Sequence, residues 1–318
     1  MPPRYLKAYK NGKLQRIADQ LYNLLETCSI CPRNCRVNRL KKEIGFCRTG
    51  LKPKVFNFMP HHGEEPPISG VKGSGTIFFS HCNMACVYCQ NFKFSQKEEG
   101  REVDFNELAG FMLKLQESGC HNLNLVTPTH VLPQILKALL IAIPKGLKLP
   151  IVYNTSGYEL KSIIELLNGI VDIYLADMRY ADNTIAKQYS NALGYPQYNQ
   201  EALKEMFRQV GIAEFDKSSI ITKGIIIRHL VLPNKLSGTE KIMEFIAKEL
   251  SENTYISLMS QYTPYYKASV HHMINRRISA REYAEAQNIM QKYKLYNGWM
   301  QESQGLEKLA GVNIKRNI

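Results

Sequence analysis

The stretch Gly75-Thr76-Ile77-Phe78-Phe79-Ser80-His81-Cys82-Asn83-Met84-Ala85-Cys86-Val87-Tyr88-Cys89-Gln90-Asn91 joins a short apolar run to three cysteines. The β-branched and aromatic residues of Thr76 to Ser80 read as a buried strand, and the first cysteine follows almost at once. The spacing Cys82-x3-Cys86-x2-Cys89 then places three sulfurs in one short loop. Such a loop can wrap a cubane iron–sulfur cluster, one cysteine to each of three irons, and leave the fourth iron open for reaction. Zinc is the alternative, but structural zinc takes four closed ligands, and the fourth would have to be His81 or a distant residue.

Working outward, the pattern of this strand repeats. Thr76 to Ser80, Asn122 to Thr127, Ile151 to Thr155, Asp172 to Ala176, Ile225 to Leu232 and Tyr255 to Met259 read as strands. Between and after them, apolar residues three and four apart predict helices over Phe105 to Ser118, Val131 to Ile143, Glu159 to Leu167, Gln200 to Val210, Glu240 to Leu250 and Ala280 to Tyr296. Alternating strands and helices predict an α/β fold, a partial (β/α)6 TIM-like barrel whose strands deliver their loops to one rim. The expected organisation is a basic, cysteine-rich extension over residues 1–70, a core barrel over 71–270 and a helical segment over 271–318 packed on the barrel.

Charge and cysteine are both concentrated at the start of the chain. Of 318 residues, 41 are basic and 28 acidic, and residues 1–54 alone hold 13 of the basic residues against Asp19, Glu26 and Glu43. This sixth of the chain therefore carries +10 of the net +13. It also holds Cys28-x2-Cys31-x3-Cys35-x11-Cys47, a second candidate metal site with the ligand count for a structural zinc or for a second iron–sulfur cluster. No secretory signal is expected, because the first residues are basic and lack an apolar segment, and the location expected is the cytoplasm. Cysteines held reduced in that compartment serve metal or redox chemistry more than disulfides. The most apolar stretch, Leu132 to Ile143, is broken by Pro133 and Lys137 and ended by Pro144, whereas a bilayer span takes about 20 residues. No membrane segment is expected.

The run Cys82-Asn83-Met84-Ala85-Cys86-Val87-Tyr88-Cys89, with an aromatic residue before the last cysteine, resembles the signature of the radical S-adenosylmethionine (SAM) superfamily. The surrounding His61-His62-Gly63-Glu64-Glu65-Pro66-Pro67-Ile68-Ser69-Gly70, Gln90-Asn91 and Asn124-Leu125-Val126-Thr127-Pro128-Thr129-His130 resemble the branch related to pyruvate formate-lyase activating enzymes. The resemblance implies a [4Fe–4S] cluster on Cys82, Cys86 and Cys89 whose open iron chelates SAM. Reductive cleavage of SAM to methionine and a 5′-deoxyadenosyl radical, then hydrogen abstraction from a substrate such as a protein glycine, is the implied reaction. An electron donor such as flavodoxin or ferredoxin is implied as a partner.

On this reading Tyr88 borders the adenine. The activating enzymes carry Gly-Gly-Glu after the second strand, where this chain has Thr127-Pro128-Thr129, so Thr127 and Thr129 offer hydroxyls and carbonyls but no carboxylate to the SAM amino group. A cap of the following helix is the plainer role for Thr129. Asn154 and Ser156 end the third strand, and Asp177 after the fourth could accept from a ribose hydroxyl or cap a turn. Arg228 could pair with the methionyl carboxylate or make a structural ion pair. Gln261 and Tyr262 end the sixth strand on the substrate side.

His61, His62, Glu64 and Glu65 read as solvated or cluster-covering loop residues, and Cys120 as a buried small apolar one. The His271-His272 and Arg276-Arg277 pairs read as an exposed charged loop. Two other functions remain in view: modification of RNA, bound through the basic extension, and a non-catalytic iron–sulfur or zinc protein.

Overall fold

The computed structural model describes residues 2–301. Two helices, α1 (Arg4–Lys10) and α2 (Lys13–Asn23), precede strand β1 (Lys54–His61) and a single helical turn α3 (Pro66–Ser69). The core follows as β2 (Ser74–Phe79), α4 (Phe92–Ser95), β3 (Arg101–Glu102), α5 (Phe105–Glu117), β4 (Leu123–Val126), α6 (Leu132–Ala142), β5 (Ile151–Thr155), α7 (Lys161–Leu166) and β6 (Ile173–Asp177). Helices α8 (Asn183–Ser190) and α9 (Tyr195–Val210) lead through β7 (Glu214–Phe215) to β8 (Ile221–Leu230), α10 (Thr239–Phe245), β9 (Tyr255–Met259), α11 (Ala280–Lys292) and β10 (Gly298–Met300).

Strands β2, β4, β5, β6, β8 and β9 lie side by side and are parallel throughout. Every residue of β2, β4, β5 and β6 is buried, as a parallel sheet covered on both faces requires. Phe78 on β2 and Ser257 and Met259 on β9 line the same cavity, so the sheet curls until its first and last core strands face each other. This is the expected partial barrel. The six strands expected from the sequence are all present.

Of the boundaries that moved, two have plain local reasons. The helix expected from Gln200 begins at Tyr195, because Gly194 takes the left-handed cap position (φ 72°) and Pro196 fits the first turn. The last helix stops at Lys292 rather than Tyr296: Lys294 is left-handed (φ 55°), and the chain continues into β10, which adds to β9 in parallel. Helix α5 starts where its residues demand it, with Asp104 accepting from Glu107 N (2.9 Å) and the Glu107 carboxylate from Asp104 N (3.0 Å).

The basic extension is seated on the barrel. Leu14, Ile17, Ala18 and Leu21 of α2 are buried where α2 packs against α6, and Tyr5 donates to Leu149 O at 3.1 Å. Strand β1, which the sequence reading left inside the extension, pairs antiparallel with β2 in one sheet with the core. Of the segment 271–318, residues 302–318 lie outside the described residues. Among the described residues no helix is long and apolar enough to cross a membrane.

Candidate active site

The chain turns sharply as it leaves β2. His81 is left-handed (φ 73°), and its N–H donates to Phe94 O at 2.9 Å. The loop that follows is pinned to the end of α8, with Ala85 N and Val87 N donating to Ser190 O and Tyr189 O, each at 2.9 Å. Its buried Asn83 donates to Tyr158 O at 2.7 Å. Each of the three sulfurs has a polar partner: Met84 N reaches Cys82 Sγ at 3.3 Å, and Ser95 Oγ lies 3.1 Å from Cys89 Sγ. Cys86 Sγ accepts from Ser190 Oγ at 3.0 Å and from Arg179 Nη1 at 3.3 Å.

Donors aimed at sulfur are what metal-bound thiolates need. Burial pushes the thiols of Cys82 and Cys89 up, to about 12 and about 11, so a cation is what would ionise them. Among the described residues no group of three or more His, Cys, Asp or Glu side chains is arranged to hold a metal ion. A cubane asks for something else, sulfurs spread over separate irons. By donor set and surroundings, Cys82, Cys86 and Cys89 fit a cluster.

Of these cysteines Cys89 lines a cavity of about 440 Å³ that brings together Tyr88, Asn154, Asp177, Arg228, Gln261 and Tyr262. Tyr88 is buried, edge-on to Tyr262 (centroids 5.5 Å apart, 67°), and its hydroxyl lies 2.5 Å from that of Tyr180. Asp177 and Arg228 are register neighbours on β6 and β8 and pair with each other, Arg228 Nε to Asp177 Oδ1 at 2.7 Å. Arg179 holds the other oxygen, Nη2 to Oδ2 at 2.5 Å. Burial alone would raise Asp177, but Arg228 and Arg179 together hold it below the usual carboxylate range.

Three candidates do not reach the cavity wall. Thr129 is buried and donates to Glu159 Oε1 at 2.6 Å, Thr127 stands at the end of β4 in the left-handed region (φ 57°), and Ser156 is buried with no partner for its hydroxyl.

The sequence reading missed Arg179, Glu64 and Glu65. The two glutamates, read as solvated or cluster-covering, are in fact nine-tenths buried in the cavity wall. Glu64 Oε1 accepts from Asn124 (3.1 Å) and Asn154 (3.2 Å), and its Oε2 lies 3.3 Å from Arg228 Nη1. For Arg179 a signal was available: the Asp177-x-Arg179 spacing at a strand end presents opposite charges to one rim.

Residues 76–225 match the family model described as the Radical SAM superfamily. Over 283 residues the chain is 34% identical to an uncharacterized protein, MJ0674, of Methanocaldococcus jannaschii, an alignment spanning 86% of this chain and 77% of that one. The chain belongs to the radical SAM superfamily. It therefore uses a [4Fe–4S] cluster and SAM, and members of the superfamily generally draw their electron from a donor such as flavodoxin or ferredoxin. Among solved structures it resembles HydG, a maturase of the [FeFe]-hydrogenase (TM-score 0.49, 13% identity), over 73% of this chain and 53% of that one. It also resembles methylornithine synthase (PylB; TM-score 0.45, 14% identity), over 69% and 62%. The chain thus spans less than two thirds of either solved neighbour.

Beside this radical SAM core, Cys28, Cys31, Cys35 and Cys47 all line one small cavity, together with Arg33, Arg39 and His130. Arg39 is 1% exposed, yet among the described residues no carboxylate meets it: it donates to Gly50 O, His130 O and, weakly, Cys28 Sγ. Arg33 donates to Asn83 O in the cluster loop at 2.8 Å and stacks on Phe46, its guanidinium carbon 3.5 Å from the ring centre, while its Nη2 has no partner. Burial raises the thiols of Cys28 and Cys31.

Proposed function

We propose that this enzyme takes hydrogen from a substrate held in the barrel lumen while SAM occupies the rim beside the cysteine loop. One observation carries the reading: three sulfurs with polar partners stand in the loop that leaves β2, and Cys89 of that loop lines the same cavity as Glu64 and Glu65. When bound, the cluster supplies the electron that splits SAM into methionine and a 5′-deoxyadenosyl radical. Cys82, Cys86 and Cys89 would hold it, and Arg179 would set positive charge against the Cys86 sulfur. Tyr88, fixed by Tyr180 and Tyr262, is a rigid face for the adenine, with Asn154 and the Asp177–Arg228 pair behind it. A closed lumen keeps water from a reactive intermediate.

The substrate enters from the rim. A glycine loop of a partner protein, as in the activating enzymes, and a small organic molecule both suit that entry, whereas Glu64 and Glu65 in the lumen repel the phosphates of RNA. Anaerobic reconstitution with iron and sulfide, followed by dithionite and SAM, should yield 5′-deoxyadenosine, and Cys82→Ala should abolish it. A fully iron-loaded protein that never cleaves SAM would sink the reading. A glycyl-radical doublet on a partner protein in electron paramagnetic resonance would assign the activating form.

We also infer that the four N-terminal cysteines hold a second thiolate-bound centre. The supporting observation is the charge balance: two guanidiniums flank four cysteines with no carboxylate to neutralise them, and bound thiolates would. Metal analysis decides its kind. About eight irons per chain indicates a second cubane, and about four irons with one zinc indicates a zinc site. Four irons and no zinc would remove the second centre.

A further inference from the structure

Three carboxylates face the lumen, Glu64, Glu65 and Asp177, against two guanidiniums, Arg179 and Arg228. The guanidiniums are spoken for. Arg179 donates to Asp177 and Cys86, and Arg228 donates to Asp177, Asn154 and Glu64. Glu65 is 9% exposed, and its Oε2 has no hydrogen-bond partner among the described residues. A carboxylate oxygen left bare in a buried wall is costly unless something donates to it.

Its place in the barrel bears on what that something is. β1 runs antiparallel to β2, with His61 opposite Ser74, so the connection carrying Glu64 and Glu65 lies at the start of β2. The cysteine loop leaves the other end of the same strand. The two glutamates therefore enter the lumen from the end opposite the cysteine loop, and Glu64 extends along it as far as Asn154 and Arg228. Beyond Asn124, Asn154 and Arg228, the cavity wall carries the apolar side chains of Phe78, Val126, Leu230, Met259 and Trp299.

We propose that this end of the lumen anchors a primary ammonium group on an aliphatic stem, with the ammonium on Glu65 and Glu64 and the stem along the apolar side chains. This deepens the function proposed above by naming the class of substrate, and it rests on that reading. Burial raises both carboxyls, with Arg228 opposing.

The test is titration calorimetry on the reconstituted full-length protein with n-butylamine, butyrate and butanol at pH 7.5. Butylammonium should bind at least tenfold more tightly than either of the others. Glu65→Gln should weaken the amine at least tenfold. Nα-acetyl-lysine methylamide binding more tightly than butylamine assigns the side chain of a peptide, and the reverse order a free amine.

The proposal is overturned if butyrate or butanol matches butylammonium, or if Glu65→Gln keeps the amine. It is also overturned if that variant loses SAM affinity instead. The wild-type ligand series decides the matter even if the variant does not fold. Because binding is read as heat, a failure here is distinct from a failure to cleave SAM.

Discussion

Arg228 separates carboxylates that would otherwise confront one another across the sheet. Its side chain is 17% exposed, and it meets both Asp177 and Glu64. Removing one partner of a buried pair strands the other, a loss of about 3 kcal/mol or more. Arg228→Met should lower the urea midpoint accordingly, and adding Asp177→Asn should recover part of the loss; equal midpoints for the two variants would contradict the pairing.

His229 makes the opposite kind of demand. It is fully buried between Met178 O and Thr239 Oγ1, and burial depresses it to about 4. A depressed base binds fewer protons folded than unfolded, so its contribution is complete above about 6.5 and is lost as pH falls towards 4. The span corresponds to roughly 3 kcal/mol. Unfolding free energies at pH 7 and pH 5 should differ less in His229→Gln than in the parent. Glu159, raised by burial to about 7, slopes the other way, losing its contribution as pH rises through 7.

At the scale of elements, the ends of strands do the positioning. Gly157, just past β5, is left-handed (φ 74°), and a Cβ there would land on Asn199 Nδ2 and Asp177 O. Asn199 Nδ2 bridges Asp177 O (2.9 Å) and Gly157 O (3.1 Å), so this contact ties the ends of β5 and β6 together. Gly157→Ala should cost about 3 kcal/mol through strain and crowding, seen as a lower melting temperature, and should displace Asp177 enough to weaken SAM binding. A variant that melts and binds like the parent would dismiss the bridge.

The six parallel strands were legible because each is a short β-branched run, and the cysteine triplet because its spacing is local. β1 was not: Lys54–His61 reads KVFNFMPH, with a proline and a basic start, beside cysteines that invite a different reading. Missing β1 hid the direction of residues 62–73, and with it the burial of Glu64 and Glu65. Thr129, read as a SAM contact or a cap of the following helix, lies three residues past β4 and caps no helix; the chain spacing could not reveal that Glu159, thirty residues on, takes its hydroxyl.

Across the whole molecule, charge is segregated from chemistry. The surplus of +10 lies in residues 1–54, and Lys7, Lys10, Arg16, Arg36, Lys41, Lys42 and Lys52 among them are exposed. Arg33, from the same region, reaches inward to Asn83 beside Cys82. Helix α1 packs at the far end of the barrel, Arg4 N on Asp172 and Tyr5 on Leu149 O, so it is the cysteine-bearing part of the extension, with Arg36, Lys41 and Lys42, that adjoins the cluster loop where an acidic electron donor would need to dock. Opposite charges on two proteins raise the rate of encounter, and salt screens that gain over about 10 Å at 0.1 M. Reduction of the reconstituted protein by flavodoxin in stopped-flow should slow about tenfold or more between 50 and 500 mM salt. Reduction by dithionite should respond far less, since so small an anion needs no docking face. Reversing Lys41 and Lys42 to glutamate should reproduce the effect of salt at 50 mM, because both are exposed and neither supports the barrel. A flavodoxin rate indifferent to salt and to this double reversal would place electron entry on another face.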